Sequence, residues 1–201
     1  MSPQAKPSRR AEVSRKTNET QVALSLDLDG AGTARVESPA GFLNHMLDLL
    51  ARHAMVDLEV TASGDTQVDL HHTVEDVGIC LGQALEKALG DKAGIARFAS
   101  VAVPMDEALA QVSLDLSGRP FLVYNVAFPG ERVGDFETEL VEEFLQALVN
   151  HAKVTLHVVV PCGTNDHHIA EAIFKGLARA LRAAVARDPR ATGVPSTKGV
   201  L

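Results

Sequence analysis

The stretch Leu70-His71-His72-Thr73-Val74-Glu75-Asp76 recurs as Asp166-His167-His168-Ile169-Ala170-Glu171-Ala172, so one His-His-x-x-Glu cluster appears twice, 96 positions apart. If a helix begins at each histidine pair, the first histidine and the glutamate are four apart and the second histidine and the glutamate three apart. All three side chains then converge beside the first turn. Imidazole and carboxylate without thiolate suit a divalent ion of the Mn, Fe, Co, Ni or Zn group better than Mg or Ca, which prefer oxygen shells. A single cluster of this kind is readily explained as surface or helix-capping histidines. Two in matching contexts point to ligands.

The surroundings of the two copies also match. Val22, Leu24, Leu26 and Leu28 alternate as a half-buried strand, and Ala110, Val112, Leu114 and Leu116 repeat the pattern at an offset of 88, which also pairs Glu19 with Glu107. Apolar positions at helical spacing over residues 42–53 lead into a strand at 56–61. Residues 140–151 lead into a strand at 154–160, at an offset of 98. Beyond each His-His-x-x-Glu cluster, Val77, Leu81 and Leu85 correspond to Ile173, Leu177 and Leu181. The chain therefore reads as two duplicated βαβα-type halves, residues 9–93 and 94–187, sharing one core. The expected class is α+β, with sheets packed on helices rather than a doubly wound parallel sheet. Residues 1–8 read as a disordered tail, and 188–201 as a turn-rich terminal segment that by composition alone would be loose.

At 201 residues, 46% hydrophobic and 22% charged, the chain has the make-up of a soluble globular protein. A net charge of −7 argues against nucleic acid as a partner, and 4% aromatics without Trp leaves no stacking platform. Cys80 and Cys162 form no CxxC pair, which fits a reducing, cytoplasmic setting. No apolar run is long enough for a bilayer, and no signal peptide is recognisable, so no membrane is expected.

Other residues stand out singly. His45 interrupts an apolar helix, and His157 lies on the strand face opposite Leu156 and Val158. His53 and His151 are helix-terminal and suit capping or dipole contacts. Arg97, Arg119, Lys175, Ser196 and Lys198 are candidate anion binders, Arg119 being set between Gly118 and Pro120. Neither a GxxxxGK[ST] loop nor a GxGxxG turn is present, so no nucleotide cofactor is expected.

Both histidine clusters, together with Pro104-Met105-Asp106-Glu107, Ser117-Gly118-Arg119-Pro120 and Pro195-Ser196-Thr197-Lys198-Gly199, resemble the imidazoleglycerol-phosphate dehydratase family of histidine biosynthesis. The resemblance runs from about residue 9 to 201. It implies halves of the ribosomal protein S5 domain 2-like type, two Mn2+ per active site, and a homo-oligomer of 24 chains with sites between subunits. The implied activity is dehydration of imidazole glycerol phosphate, a small phosphorylated imidazole, to imidazole acetol phosphate through a metal-bound imidazolate and a diazafulvene-like intermediate. The implied metal ligands are His45, His71, His72, Glu75, His157, His167, His168 and Glu171. Glu19 and Asp106 would act as acid/base groups, with Glu75 or Glu171 able to relay a proton. Substrate would be bound by Glu19, His45, His53, Arg97, Arg119, Lys175, Ser196, Thr197 and Lys198, and its phosphate would order the C-terminal segment. Two other readings share part of this residue set: a dinuclear metallohydrolase of a phosphorylated small molecule, and a non-enzymatic metal-storage shell.

Overall fold

The computed structural model describes residues 8–191 and 193–201, so nearly all of the expected N-terminal tail lies outside the described residues. The strands are β1 (Arg10–Lys16), β2 (Thr20–Asp27), β3 (Ala34–Glu37), β4 (Asp57–Gly64), β5 (Phe98–Met105), β6 (Ala108–Asp115), β7 (Phe121–Asn125), β8 (Arg132–Val133), β9 (Phe136–Glu137) and β10 (Thr155–Cys162). The helices are α1 (Gly41–Ala54), α2 (His71–Leu89), α3 (Leu140–Ala152) and α4 (Asp166–Ala184).

The class is α+β and the halves are duplicates. One sheet runs β1-β2-β4-β3 and the other β5-β6-β10-β7; each has an antiparallel hairpin, a second antiparallel pairing and one parallel pair, β3/β4 or β7/β10. The parallel pairs require crossovers, which α1 and α3 supply. Each half thus adds two strands to the expected strand–helix–strand–helix unit. The added strands carry weak patterns: β1 buries only Ala11 and Val13, and β3 is four residues long. The small ribbon β8/β9 is confined to the second half, and its buried Phe136 packs on Phe42 of α1.

The inward faces of both sheets cover the helices. Leu26, Leu114 and Leu156 from the strands meet Leu50, Leu81, Leu85, Leu148, Leu177 and Leu181 from the four helices in one apolar centre. Helices pair across the halves, α2 with α3 and α1 with α4. The first pairing is close: a methyl group at Gly82 would lie 2.7 Å from the Leu148 carbonyl oxygen, and one at Gly78 2.8 Å from that of Phe144. Arg9 and Arg97, 88 positions apart, brace equivalent corners; Arg9 binds Asp29 and the Val185 carbonyl, Arg97 binds Asp115 and the Pro195 carbonyl.

The outward faces differ. Sheet β1-β2-β4-β3 presents Arg10, Glu12, Glu59 and Arg35. Sheet β5-β6-β10-β7 presents Phe98, Phe121, Ala102, Ser100, Ser113 and His157.

Gly82→Ala should lower stability by about 1–3 kcal/mol, because backbone must move to admit the methyl, even though alanine gains about 1 kcal/mol in helix propensity. Gly41→Ala, where nothing lies within 4 Å, should be neutral or stabilising. Urea midpoints at constant slope check both.

Candidate functional site

Both His-His-x-x-Glu clusters open helices, as their spacing requires. Asn165 caps α4, its side-chain oxygen accepting from the backbone N–H of His167 and of His168; at α2, Asp69 accepts from His71 N–H at 2.8 Å. The Asn165 cap sets the orientation of the first turn of α4 and so aims its side chains.

In the second cluster the Nε2 atoms of His45 and His167 lie 2.9 and 3.2 Å from Glu171 Oε1, while Lys175 Nζ donates to Glu171 Oε2 at 2.5 Å. His45 arrives on α1, so this group depends on the α1–α4 pairing. Glu171 is buried. Burial opposes its ionisation, but the hydrogen bonds from Lys175, His45 and His167 outweigh that cost and hold the carboxyl at about 2. His168 points elsewhere: its Nδ1 is 2.8 Å from Glu107 Oε2, and its Nε2 is 3.8 Å from Asp106 Oδ2.

The first cluster repeats this plan. His71 and Glu75 meet Glu143 of α3, their ligand atoms within 4.8 Å of one another. Glu143 stands 98 positions after His45, the offset that relates α3 to α1. His72 Nδ1 lies 3.1 Å from Asp65 and 3.9 Å from Glu19 Oε2. Hydrogen bonding to Asp65 raises the His72 pKa, and that to Glu107 raises the His168 pKa.

Three acidic residues were therefore not singled out by sequence reasoning. Glu143 was discoverable, since the 98-residue offset carries His45 onto it. Glu107 was reached as the repeat mate of Glu19 and as the last residue of Pro104-Met105-Asp106-Glu107, without a role of its own, and nothing local marks Asp65.

The remaining site candidates fall into two places. Arg97, Arg119, Ser196, Thr197 and Lys198 line one open pocket with Phe98, where the C-terminal segment is tied down by Arg97 and by the Gly94 N–H to Gly193 carbonyl bond. Lys175 is not there; it stands with Glu171 on α4. His53, near the end of α1, has its pKa lowered by burial and then by Lys175 and Arg179. His157 lies outward on β10, beside Ser113 and Val123, away from both clusters of its own chain.

The basic pocket sits at the start of β5 and the His168–Asp106–Glu107 group at its end, about 25 Å apart for eight extended residues. α4 separates the same two regions along its length.

The duplicated α+β scaffold collects histidines and carboxylates at one end and an open basic pocket at the other, the build of an enzyme. The imidazoleglycerol-phosphate dehydratase family model matches residues 38–181. A relative from Xanthobacter autotrophicus, an imidazoleglycerol-phosphate dehydratase, is 61% identical over 96% of this chain and 98% of its own. One from Azorhizobium caulinodans is 60% identical over the same shares. The crystal structure of the Staphylococcus aureus enzyme superposes with a TM-score of 0.81 at 40% identity, covering 89% of this chain and 99% of that one. This chain belongs to the imidazoleglycerol-phosphate dehydratase family and is a hydro-lyase of histidine biosynthesis. Among the described residues, no helix is long and apolar enough to cross a membrane.

Because Glu171 is depressed below the ordinary value of 4.5, its contribution to stability is complete above that value and is lost as pH falls towards about 2. In metal-stripped protein, urea midpoints should fall between about pH 5 and pH 2 for wild type and fall less for Glu171→Gln.

Proposed function

We propose that this enzyme dehydrates imidazole glycerol phosphate to imidazole acetol phosphate with two Mn2+ per active site, and that each site is completed by a second chain. The observation that supports this best is the convergence of His45 Nε2 and His167 Nε2 on one ionised, buried Glu171 carboxylate. Two ring nitrogens and an anionic oxygen in contact, with no sulfur, are a donor set that a divalent ion of the Mn-to-Zn group fits. The residues that would hold metal are His45, His71, His72, Glu75, His157, His167, His168 and Glu171. When bound, the metal would supply positive charge that stabilises an anionic imidazole ring and so makes loss of the neighbouring hydroxyl feasible.

The chain's own groups divide the rest. Arg97, Arg119, Ser196, Thr197 and Lys198 hold the phosphate, and in this reading residues 188–201 are a substrate-binding segment. Glu19, half exposed at the β1–β2 turn, and Asp106, beside His168, move protons at the reacting carbons in this reading: one donates to the departing hydroxyl, which leaves as water, and the other removes the carbon-bound proton.

Distance supports the shared site. A three-carbon phosphate chain on an imidazole ring spans less than half the roughly 25 Å between the basic pocket and the histidines of one chain. One molecule can touch both only if two chains contribute. The uncharged outer face of β5-β6-β10-β7, with His157 in it, is suited to that contact, and a homo-oligomer of 24 chains is the expected assembly.

Metal, kinetic and assembly measurements test the reading. Metal content and turnover of imidazole glycerol phosphate, before and after chelation and with Mn added back, should show about two ions per chain with activity following them. Glu171→Gln should lose both, and full turnover in that variant would count against it. Lys198→Ala should raise KM at least about tenfold with a smaller change in kcat. For assembly, Ala102→Asp should shift sedimentation to smaller species, whereas Ala23→Asp, on the charged outer sheet, should not.

A further inference from the structure

The duplicated halves are not equivalent where they hold the second histidine of each cluster. Glu107 sits in the β5–β6 turn and Glu19 in the β1–β2 turn, related by the 88-residue offset. Glu107 touches His168 Nδ1 at 2.8 Å, but Glu19 stands 3.9 Å from His72 Nδ1, and Asp65 takes the place beside that nitrogen at 3.1 Å. The position matching Asp65 in the second half is Gly163, 98 residues on. A side chain there is blocked, since a methyl at Gly163 would lie 2.6 Å from Ile169. Each half has therefore solved one task with a different carboxylate: the terminal strand's exit loop in the first, the hairpin turn in the second.

We propose that Glu107 and Asp65 are positioning residues for His168 and His72, each accepting the imidazole Nδ1–H and so leaving Nε2 as the bare nitrogen presented to the site. The consequence for metal holding rests on the function proposed above; the pairing itself does not. A ring whose Nδ1 carries the proton can offer only Nε2 as a ligand, so the carboxylate selects both tautomer and ring orientation. In the first half this division of labour leaves Glu19 exposed and 3.9 Å from His72 Nδ1, beyond hydrogen-bond distance, and so free of the positioning task for proton transfer. In the second half Glu107 is fully committed. Its Oε2 serves His168, while its Oε1 accepts the backbone N–H of Thr164 at 3.0 Å and of Asn165 at 2.8 Å, the residues that lead into the α4 cap.

That arrangement makes Glu107→Gln a sharp test. The amide oxygen can keep the Thr164 and Asn165 bonds, which leaves the NH2 group facing His168 Nδ1. The amide must then donate where the carboxylate accepted, and the neutral ring must carry its proton on Nε2. The fold is retained and the tautomer reversed. The experiment is 15N NMR of histidine-labelled, metal-stripped full-length protein, with Mn2+ titrated into the same preparations and thermal midpoints recorded.

In wild type, neutral His168 should be the Nδ1–H form. In Glu107→Gln it should be the Nε2–H form, with Mn2+ affinity lower by about 10–100-fold and little change in thermal midpoint. Asp65→Ala should weaken Mn2+ binding to a similar degree, while Asp65→Asn, which keeps an acceptor beside Nδ1, should recover most of it. A His168 tautomer unchanged in Glu107→Gln overturns the proposal, and so does a reversed tautomer with unaltered Mn2+ affinity. Reversal of the tautomer in a protein that binds no Mn2+ even as wild type overturns the metal reading instead and leaves the histidine–carboxylate pairing standing.

Discussion

The docking of helices from one half against helices of the other is the constraint on which the structure depends. Neither histidine cluster is complete on its own helix. His167 and Glu171 on α4 need His45 from α1, and His71 and Glu75 on α2 are joined by Glu143 from α3. The apolar centre that drives the docking is built mostly from leucines at helical spacing. The close approach of α2 and α3 is allowed by the absence of side chains at Gly78 and Gly82. Packing in the core and chemistry at the surface are thus set by the same helix contacts.

Glu171 shows how the site tolerates a buried charge. A carboxylate with so little exposure would ordinarily be driven towards its protonated form. Three donors converge on it, and one of them, Lys175, is a full cation one helical turn away on the same face. Lys175 therefore belongs to the electrostatics of the histidine cluster in its own chain. Its sequence context suggested an anion binder, and the anion nearest to it is Glu171.

The fold was legible to the extent that periodicity reports burial. β2, β4, β6 and β10 alternate cleanly because one face is core and the other is open, and the four helices carry broad apolar stripes. β1 and β3 were missed because edge strands bury few side chains and need no strong pattern. The histidines were legible through repetition, since chemistry at a helix start has a fixed spacing. Asp65 was not, because its role comes from a loop folding back onto α2, and nothing in its neighbours records that. The separation of Arg97, Arg119 and the C-terminal residues from the histidines was equally hidden. It follows from β5 lying extended between them, and sequence proximity of Arg97 to Asp106 suggests the opposite.

The helix exchange between halves also bears on how such a chain could have arisen. A single half has no partner for its own α1 and α2, because each finds its mate in the other repeat. A lone half with this geometry would leave two apolar helix faces bare, and a symmetric pair of such halves would cover them. Fusion of such a pair would turn an encounter between two molecules into a tether and let one copy change without the other. Gly163 and Asp65, His45 and Glu143 are the record of that freedom: equivalent places in an inherited symmetry, holding residues that are no longer alike.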